Sequence, residues 1–189
     1  METITPDEFI VNKHRFFQHL RDGALFIYPT DTIYGIGCDA TNEKAVQRLR
    51  KLKEQTTRPF SVLAPSKDWI HQHCETKGNE GWLRKLPGPM TLIFKLKDKT
   101  CIAPSVNLGN GTLGVRLVSH PAQKIVEELG RPIITTSANV TGRNFMTSAE
   151  DIDSKIRNGM DFLIYEGEKP GKASDIINLT GQKPSIRKR

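Results

Sequence analysis

Cysteine is scarce in this 189-residue chain: Cys38, Cys74 and Cys101 are odd in number and widely spaced, which leaves no disulfide framework and no Cys-x-x-Cys metal or redox pair. Long apolar runs are missing as well, so no segment reads as a membrane span. The opening residues, Met1 to Phe9, carry acidic groups and no apolar stretch, so neither a secretory signal nor an Arg-rich transit peptide is visible. The expectation is a cytoplasmic protein with reduced thiols. In that compartment the sequons Asn139-Val140-Thr141 and Asn178-Leu179-Thr180 meet no modifying enzyme. Repeats, low-complexity tracts and Ser/Pro linkers are also absent, and residues 1–189 are expected to form a single domain around one core.

What the chain has is positive charge. A net charge of +7 and a pI near 9.4 attract polyanions, of which nucleotides and RNA are the commonest in a cytosol. Apart from the run Arg187-Lys188-Arg189, the Lys and Arg residues are spread along the chain. That spread fits a solvated basic surface as well as an anion site.

Thr5 and Glu8 stand at capping-box spacing, with Pro6 in the first turn, and predict a helix that Gly23 ends. Further helices are expected at Glu43 to Leu52, Lys67 to Glu75, Glu80 to Leu86, Ala122 to Leu129 and Ala149 to Ile156, the last behind a second capping box, Thr147 and Glu150. Apolar strands are expected at Ala24 to Tyr28, Phe60 to Ala64, Thr91 to Leu96, Thr112 to Val118, Pro132 to Thr136, Phe162 to Tyr165 and Asp175 to Leu179. Interleaving of the two predicts an α/β fold, and strands without a full crossover helix between them predict a mixed sheet.

Several strings imitate known sites. Gly35-Ile36-Gly37-Cys38-Asp39-Ala40 matches a dinucleotide fingerprint, but the strand before it ends near Tyr28 and no acidic residue follows at ribose distance. Gly167 to Ala173 resembles a Walker loop one residue short that leads into a strand instead of a helix. His71-Gln72-His73-Cys74 offers metal-ligand types, yet its two histidines point apart on a helix and the sequence shows no second cluster. Ser137 lacks the Gly-x-Ser-x-Gly turn of a hydrolase nucleophile, which leaves a hydrolase open and unsupported.

Three segments concentrate small polar residues near strand ends: Tyr28 to Gly35, Thr135 to Asn139, and Ala173 to Asp175. In open α/β sheets the carboxyl ends of strands line the ligand crevice, although the same residue types also close ordinary turns. Taken in order, the segments resemble the YrdC/TsaC family of threonylcarbamoyl-AMP synthases. The resemblance runs from about Ala24 to Arg187. It rests on Tyr28-Pro29-Thr30-Asp31-Thr32-Ile33-Tyr34-Gly35-Ile36-Gly37, Arg58-Pro59-Phe60, Pro87-Gly88-Pro89-Met90-Thr91-Leu92, Gly114-Val115-Arg116 ahead of His120-Pro121, Thr136-Ser137-Ala138-Asn139 with Gly142-Arg143, and Ser174.

The resemblance implies a YrdC-like twisted open mixed sheet flanked by helices, with a concave basic ligand cleft. It implies a reaction in which L-threonine, bicarbonate or CO2, and ATP yield threonylcarbamoyl-AMP and pyrophosphate, with Mg2+ expected beside ATP. The product would pass to the tRNA-threonylcarbamoyl transferase machinery. By position, Thr32, Arg116, Thr135 and Ser174 resemble L-threonine-binding residues, while Lys53, Arg58, Thr112, Ser137, Asn139, Arg143 and Arg187 resemble ATP-binding ones. No covalent nucleophile is implied, because the carbamate of threonine attacks the α-phosphorus itself. One departure stands out: the family's Lys-x-Arg pattern reads Lys53-Glu54-Gln55 here, with Arg58 or Lys51 as substitutes for the missing arginine. It leaves room for a paralogue with another carbamoyl or nucleotide substrate, and the charge leaves room for a tRNA- or duplex-RNA-binding module.

Overall fold

The computed structural model describes residues 1–188. Its strands are β1 (Glu2–Ile4), β2 (Phe26–Tyr28), β3 (Gly35–Gly37), β4 (Ser61–Leu63), β5 (Met90–Lys95), β6 (Thr112–Arg116), β7 (Ile133–Ser137), β8 (Phe162–Ile164), β9 (Asp175–Asn178) and β10 (Ser185–Arg187). Between them lie α1 (Pro6–Val11), α2 (Lys13–Arg21), α3 (Glu43–Lys53), α4 (Lys67–His73), α5 (Glu80–Leu83), α6 (Pro104–Asn107), α7 (Ala122–Leu129) and α8 (Ser154–Gly159). The strands form one sheet in the order β1-β8-β2-β3-β7-β4-β6-β5-β9-β10. It is mixed, as expected: β8 runs parallel to β1 and β2, β4 to β6, and β5 to β9, while the remaining pairs are antiparallel.

Side-chain alternation builds a core on each face of the sheet. Ile27, Val62, Val115 and Ile134 face Val46 and Leu49 of α3, Ile70 of α4 and Ile156 of α8. Their chain neighbours Phe26, Tyr28, Leu63 and Ile133 face the other way, onto Phe16, Phe17 and Leu20 of α2 and Val126 and Leu129 of α7. On that second face the aromatic rings stack over β8 and β2, with Phe162 4.9 Å from Phe16 and 5.1 Å from Phe26. Among the described residues no helix is long and apolar enough to cross a membrane.

Several elements differ from the sequence reading. The Thr5 capping box forms, Glu8 accepting from the Thr5 N–H at 2.7 Å, but the helix it opens breaks at Asn12 into α1 and α2. The second capping box does not cap a helix. Thr147 and Ser148 instead donate their backbone N–H groups to Asp151, and the helix begins five residues later than expected, capped by Asp153, because a short carboxylate competes for nearby backbone donors. β1, β3, β10 and α6 were not anticipated. β3 is the Gly-Ile-Gly string that imitates a dinucleotide loop; here a Cβ on Gly37 would lie 2.7 Å from Ile133 Cγ2 and 2.8 Å from the Tyr28 ring. Its glycine admits a ring against the backbone, and the next helix, α3, opens only at Glu43, beyond the string, so the glycines do not lead straight into a helix N-terminus.

Candidate functional site: a polar cleft on one face of the sheet

The helices of the second face do not cover its whole width. Over β3, β7, β4, β6, β5 and β9 a cleft of about 620 Å³ opens instead, floored by Gly35, Ser137, Thr135, Ser61, Gly114, Ile93 and Ile176. Register explains the row: Ser61 lies opposite Thr135 on one side and Gly114 on the other, and Gly114 lies opposite Ile93. Alternation then adds Thr112 and Arg116, two residues either side of Gly114, to the same face. Small polar residues on a mid-sheet face would leave it underpacked unless a ligand covered it. Gly114 keeps the floor low, since a Cβ there would run into the Ser61 side chain and Thr91. The cleft therefore takes in the sheet's face as well as the strand ends of the sequence reading: Arg116 and Ser137 end β6 and β7 and Thr32 follows β2, whereas Thr112 opens β6 and Ser174 precedes β9.

Ten of the eleven residues named from the sequence line this cleft: Thr32, Lys53, Arg58, Thr112, Arg116, Thr135, Ser137, Asn139, Ser174 and Arg187. Arg143 does not. Its guanidinium reaches outward to Asp153 at 2.6 Å, and only its carbonyl is turned inward, accepting from Asn139 Nδ2. Of the two basic residues suggested as substitutes for the missing arginine, Arg58 lines the cleft and Lys51 does not. Lys53, Arg58, Arg116 and Arg187 are its cations, and among the described residues no Asp or Glu lines it.

Each wall has its own local cause. In the loop after β2, the Thr30 hydroxyl accepts from the Thr32 N–H at 3.2 Å and donates to the Ile33 carbonyl at 2.7 Å, a tight turn that presents Thr32. Arg116 ends β6 and donates to Asp31 at 2.7 Å, while the Asp31 carboxylate also accepts from the Ser119 N–H. Beyond β7, Lys53 at the end of α3 is buried and donates to the carbonyls of Ser137 and Asn139, both at 2.6 Å. Burial pushes its ammonium down to about 8 from an ordinary value of 10.5. Ser137 Oγ in turn donates to Asn139 Oδ1 at 2.6 Å, so the whole turn is locked around one cation.

Arg50 does the same for the loop carrying Gln55 and Arg58. Its guanidinium donates to the carbonyls of Gln55, Arg58, Ser105 and Val106 and lies over the Phe60 ring. Gln55, standing where the family pattern has arginine, lines the cleft with its amide donating to the Arg58 carbonyl at 3.2 Å. The last wall is a strap from Tyr165 to Ser174. Tyr34 anchors it by donating to the Gly167 carbonyl at 2.7 Å and accepting from the Glu166 N–H. Burial pushes the Tyr34 hydroxyl up to about 12, so it stays a donor. Where the strap crosses the first loop, Gly171 presses on the Thr32 carbonyl so closely that a Cβ would occupy the same space. Ser174 then enters the cleft with its Oγ buried and without a hydrogen-bond partner among the described residues.

Thr30, Asp31, Tyr34, Arg50 and Gly171 were not singled out as site residues from the sequence. Asp31 and Tyr34 lie inside the first motif, but Arg50 carried no signal beyond a basic helix end, and Gly171 sat in the Walker-like string.

Fold and cleft together define an α/β protein with an open polar cleft on one face of its sheet, whose charged lining residues are all cationic among the described residues. The chain belongs to the Sua5/YciO/YrdC family, whose model, described as telomere recombination, matches residues 18–189. It is 30% identical over 175 residues to the threonylcarbamoyl-AMP synthase of an Enterobacter species, covering 87% of this chain and 90% of that one. To the threonylcarbamoyl-AMP synthase of Pyrococcus abyssi it is 31% identical over 178 residues, 88% of this chain and 50% of the relative. The Pyrococcus abyssi Sua5 structure complexed with L-threonine superposes with a TM-score of 0.83 at 27% identity, covering 98% of this chain and 55% of that one. The chain thus spans about half the length of the archaeal relative and most of the bacterial one.

Proposed function

We propose that the chain is a nucleotidyltransferase that condenses L-threonine, bicarbonate or CO2, and ATP into threonylcarbamoyl-AMP with release of pyrophosphate, in the cytoplasm, for transfer to tRNA. The observation that carries this reading is the convergence of the named loops on one cleft with cations and hydroxyls and no carboxylate among its described lining residues. Similarity to synthases, and to a structure complexed with L-threonine, supports it.

In the reaction, the threonine nitrogen adds to CO2, losing a proton, and gives a carbamate. A carbamate oxygen then attacks the α-phosphorus of ATP, and the bond to the β-phosphate oxygen breaks. No protein nucleophile is needed, so the protein's work is positioning and charge stabilisation. Arg116 holds the threonine carboxylate, its fork matching two oxygens, while Thr32, Thr135 and Ser174, whose hydroxyl has no partner among the described residues, take the remaining polar atoms. Ser137 and Asn139 meet the phosphate side, Thr112 the nucleotide, and Lys53, Arg58 and Arg187 offset the charge that accumulates on departing pyrophosphate; Arg143 acts through its carbonyl on Asn139. The lining offers Mg2+ no carboxylate among the described residues, so it does not form a protein-held magnesium site; such an ion would come with the nucleotide's own phosphates.

The test is pyrophosphate release from ATP in the presence of bicarbonate, with and without L-threonine. Threonine-dependent release is expected; release at the threonine-free rate would overturn the reading. Gln55 in the cleft supports a second reading, a paralogue of the same fold that acts on another carbamoyl or nucleotide substrate. It predicts that a different amino acid or a different nucleotide raises the Tm more than threonine with ATP does.

A further inference from the structure

We propose that His73, Asp98 and Cys101 form a site for one zinc-class divalent cation, separate from the cleft. Two stretches far apart in the chain make it. His73 ends α4, in the string whose histidines looked unsupported for want of a second cluster; Asp98 and Cys101 lie in the segment after β5 and supply that cluster. One ring nitrogen, one carboxylate oxygen and the Cys101 sulfur lie within 4.8 Å of one another.

The geometry points to a shared ion more than to a simple ion pair. His73 Nδ1 stands 3.3 Å from Asp98 Oδ2, within ion-pair reach, yet it is buried and makes no well-aligned hydrogen bond with any of the described residues. Around a tetrahedral cation with bonds of about 2.0–2.1 Å, nitrogen and oxygen ligands are separated by about 3.3 Å. The carboxylate is already aimed: its other oxygen, Oδ1, accepts from the Thr100 N–H at 2.8 Å and the Thr100 hydroxyl at 2.6 Å. That is the kind of outer support metal ligands commonly have. Backbone pairing fixes the two stretches against each other, since the Lys97 N–H donates to the His73 carbonyl at 2.8 Å and Cys74 bridges to Leu96. His71, by contrast, is engaged elsewhere, its Nδ1 lying 2.8 Å from Thr76 Oγ1.

A donor set of one nitrogen, one oxygen and one sulfur suits zinc, with solvent in the fourth position. Cys101 donates its S–H to the Asp98 carbonyl at 3.1 Å. Binding a cation exchanges that proton for a metal–sulfur bond and releases it to solvent. The ion would clamp the end of α4 to the segment after β5.

The experiment uses the full chain, stripped by chelator, without nucleotide, and titrated with Co2+ alone. Expected are one Co2+ per chain, a thiolate-to-cobalt charge-transfer band, visible bands of tetrahedral geometry, and quenching of Trp69, whose ring lies 4.7 Å from that of His73. Zn2+ should displace the signal and raise the Tm. In Cys101→Ser the charge-transfer band disappears, and in Cys101→Ser and Asp98→Asn affinity falls roughly tenfold or more, while His71→Ala keeps both band and affinity. The variants' metal-free circular dichroism and Tm should match the parent, which separates lost ligands from lost folding. The proposal is overturned if Co2+ gives no charge-transfer band, or if affinity is unchanged in both Cys101→Ser and Asp98→Asn.

Discussion

Arg116 Nη2 donates to Asp31 Oδ1 at 2.7 Å across 85 residues of sequence, and both side chains are nearly sealed from solvent, 8% and 10% exposed. The pair joins the end of β6 to the loop after β2 at the place where we put the amino acid's carboxylate. Truncating one member of such a pair costs about 2–5 kcal/mol, part of it from the charge left behind. Arg116→Ala should therefore lower threonine-dependent pyrophosphate release by about 100-fold or more and lower the Tm as well. Arg116→Lys separates the two effects: it keeps the charge and most of the Tm, but without the fork it should raise the KM for threonine at least tenfold. Equal KM values in Arg116→Lys and the parent would remove Arg116 from the threonine site.

Gly171 makes a prediction that depends on space alone. A methyl group there meets the Thr32 carbonyl, a backbone atom that cannot swing aside, and overpacking of this kind costs about 1–3 kcal/mol. Gly171→Ala should lower the Tm and, by displacing the Thr32 loop, reduce kcat/KM for threonine more than for ATP. Gly167→Ala is the contrasting change: nothing lies within 4 Å of its Cβ position, but its φ of +102° strains any L residue. It should cost stability with little change in the threonine KM.

Arg143 and Arg187 test whether a cleft contact or a sequence match better predicts a nucleotide residue. Arg187, exposed on β10, lines the cleft; Arg143 pairs with Asp153 with 67% of its side chain in solvent. An exposed pair contributes only about 0–1 kcal/mol. Arg143→Ala should thus move the KM for ATP by less than about threefold, and Arg187→Ala should raise it more than Arg143→Ala does. The reverse order, measured at fixed saturating threonine, would bring the Arg143 side chain into the nucleotide site.

Much of this arrangement was legible in the sequence, and where it was not, the reasons are physical. Hydrophobic pattern placed β5 and β7, because Leu92, Phe94 and Ile134 must be buried on the first face. β1 and β10, three residues each and mostly exposed, carry too little apolar pattern to read. β3 was hidden because its glycines look like a loop until the Tyr28 ring and Ile133 are known to press on Gly37. The α8 boundary was misplaced because Asp151 and Asp153 both offer caps, and only tertiary packing chooses between them. For the cleft, the polar loops were visible but its floor was not. Ser61, Thr135 and Gly114 come from three strands, and only the register makes them neighbours. Arg50 holds its loop entirely through carbonyl groups, which leave no trace in residue identity.

Lys53 gives the pH dependence. Its ammonium is pushed down to about 8 by burial, and the carbonyls of Ser137 and Asn139 accept from it. In the unfolded chain the same group holds its proton to about pH 10.5. Between those values the unfolded state binds more protons than the folded one, so stability gains with rising pH across that window, by about 3 kcal/mol at most. Below about pH 8 both states are protonated and the cost of the buried charge is constant. Catalysis should move the opposite way, because the cation beside the triphosphate is lost as pH rises through about 8. Two measurements follow: kcat/KM for ATP should fall above about pH 8 while the denaturation midpoint of the same protein rises toward pH 10. Lys53→Met, with no proton to lose, should show neither limb and should have low activity throughout. If Lys53→Met keeps the parent's pH–rate profile, another group titrates there and Lys53 serves only to hold the turn.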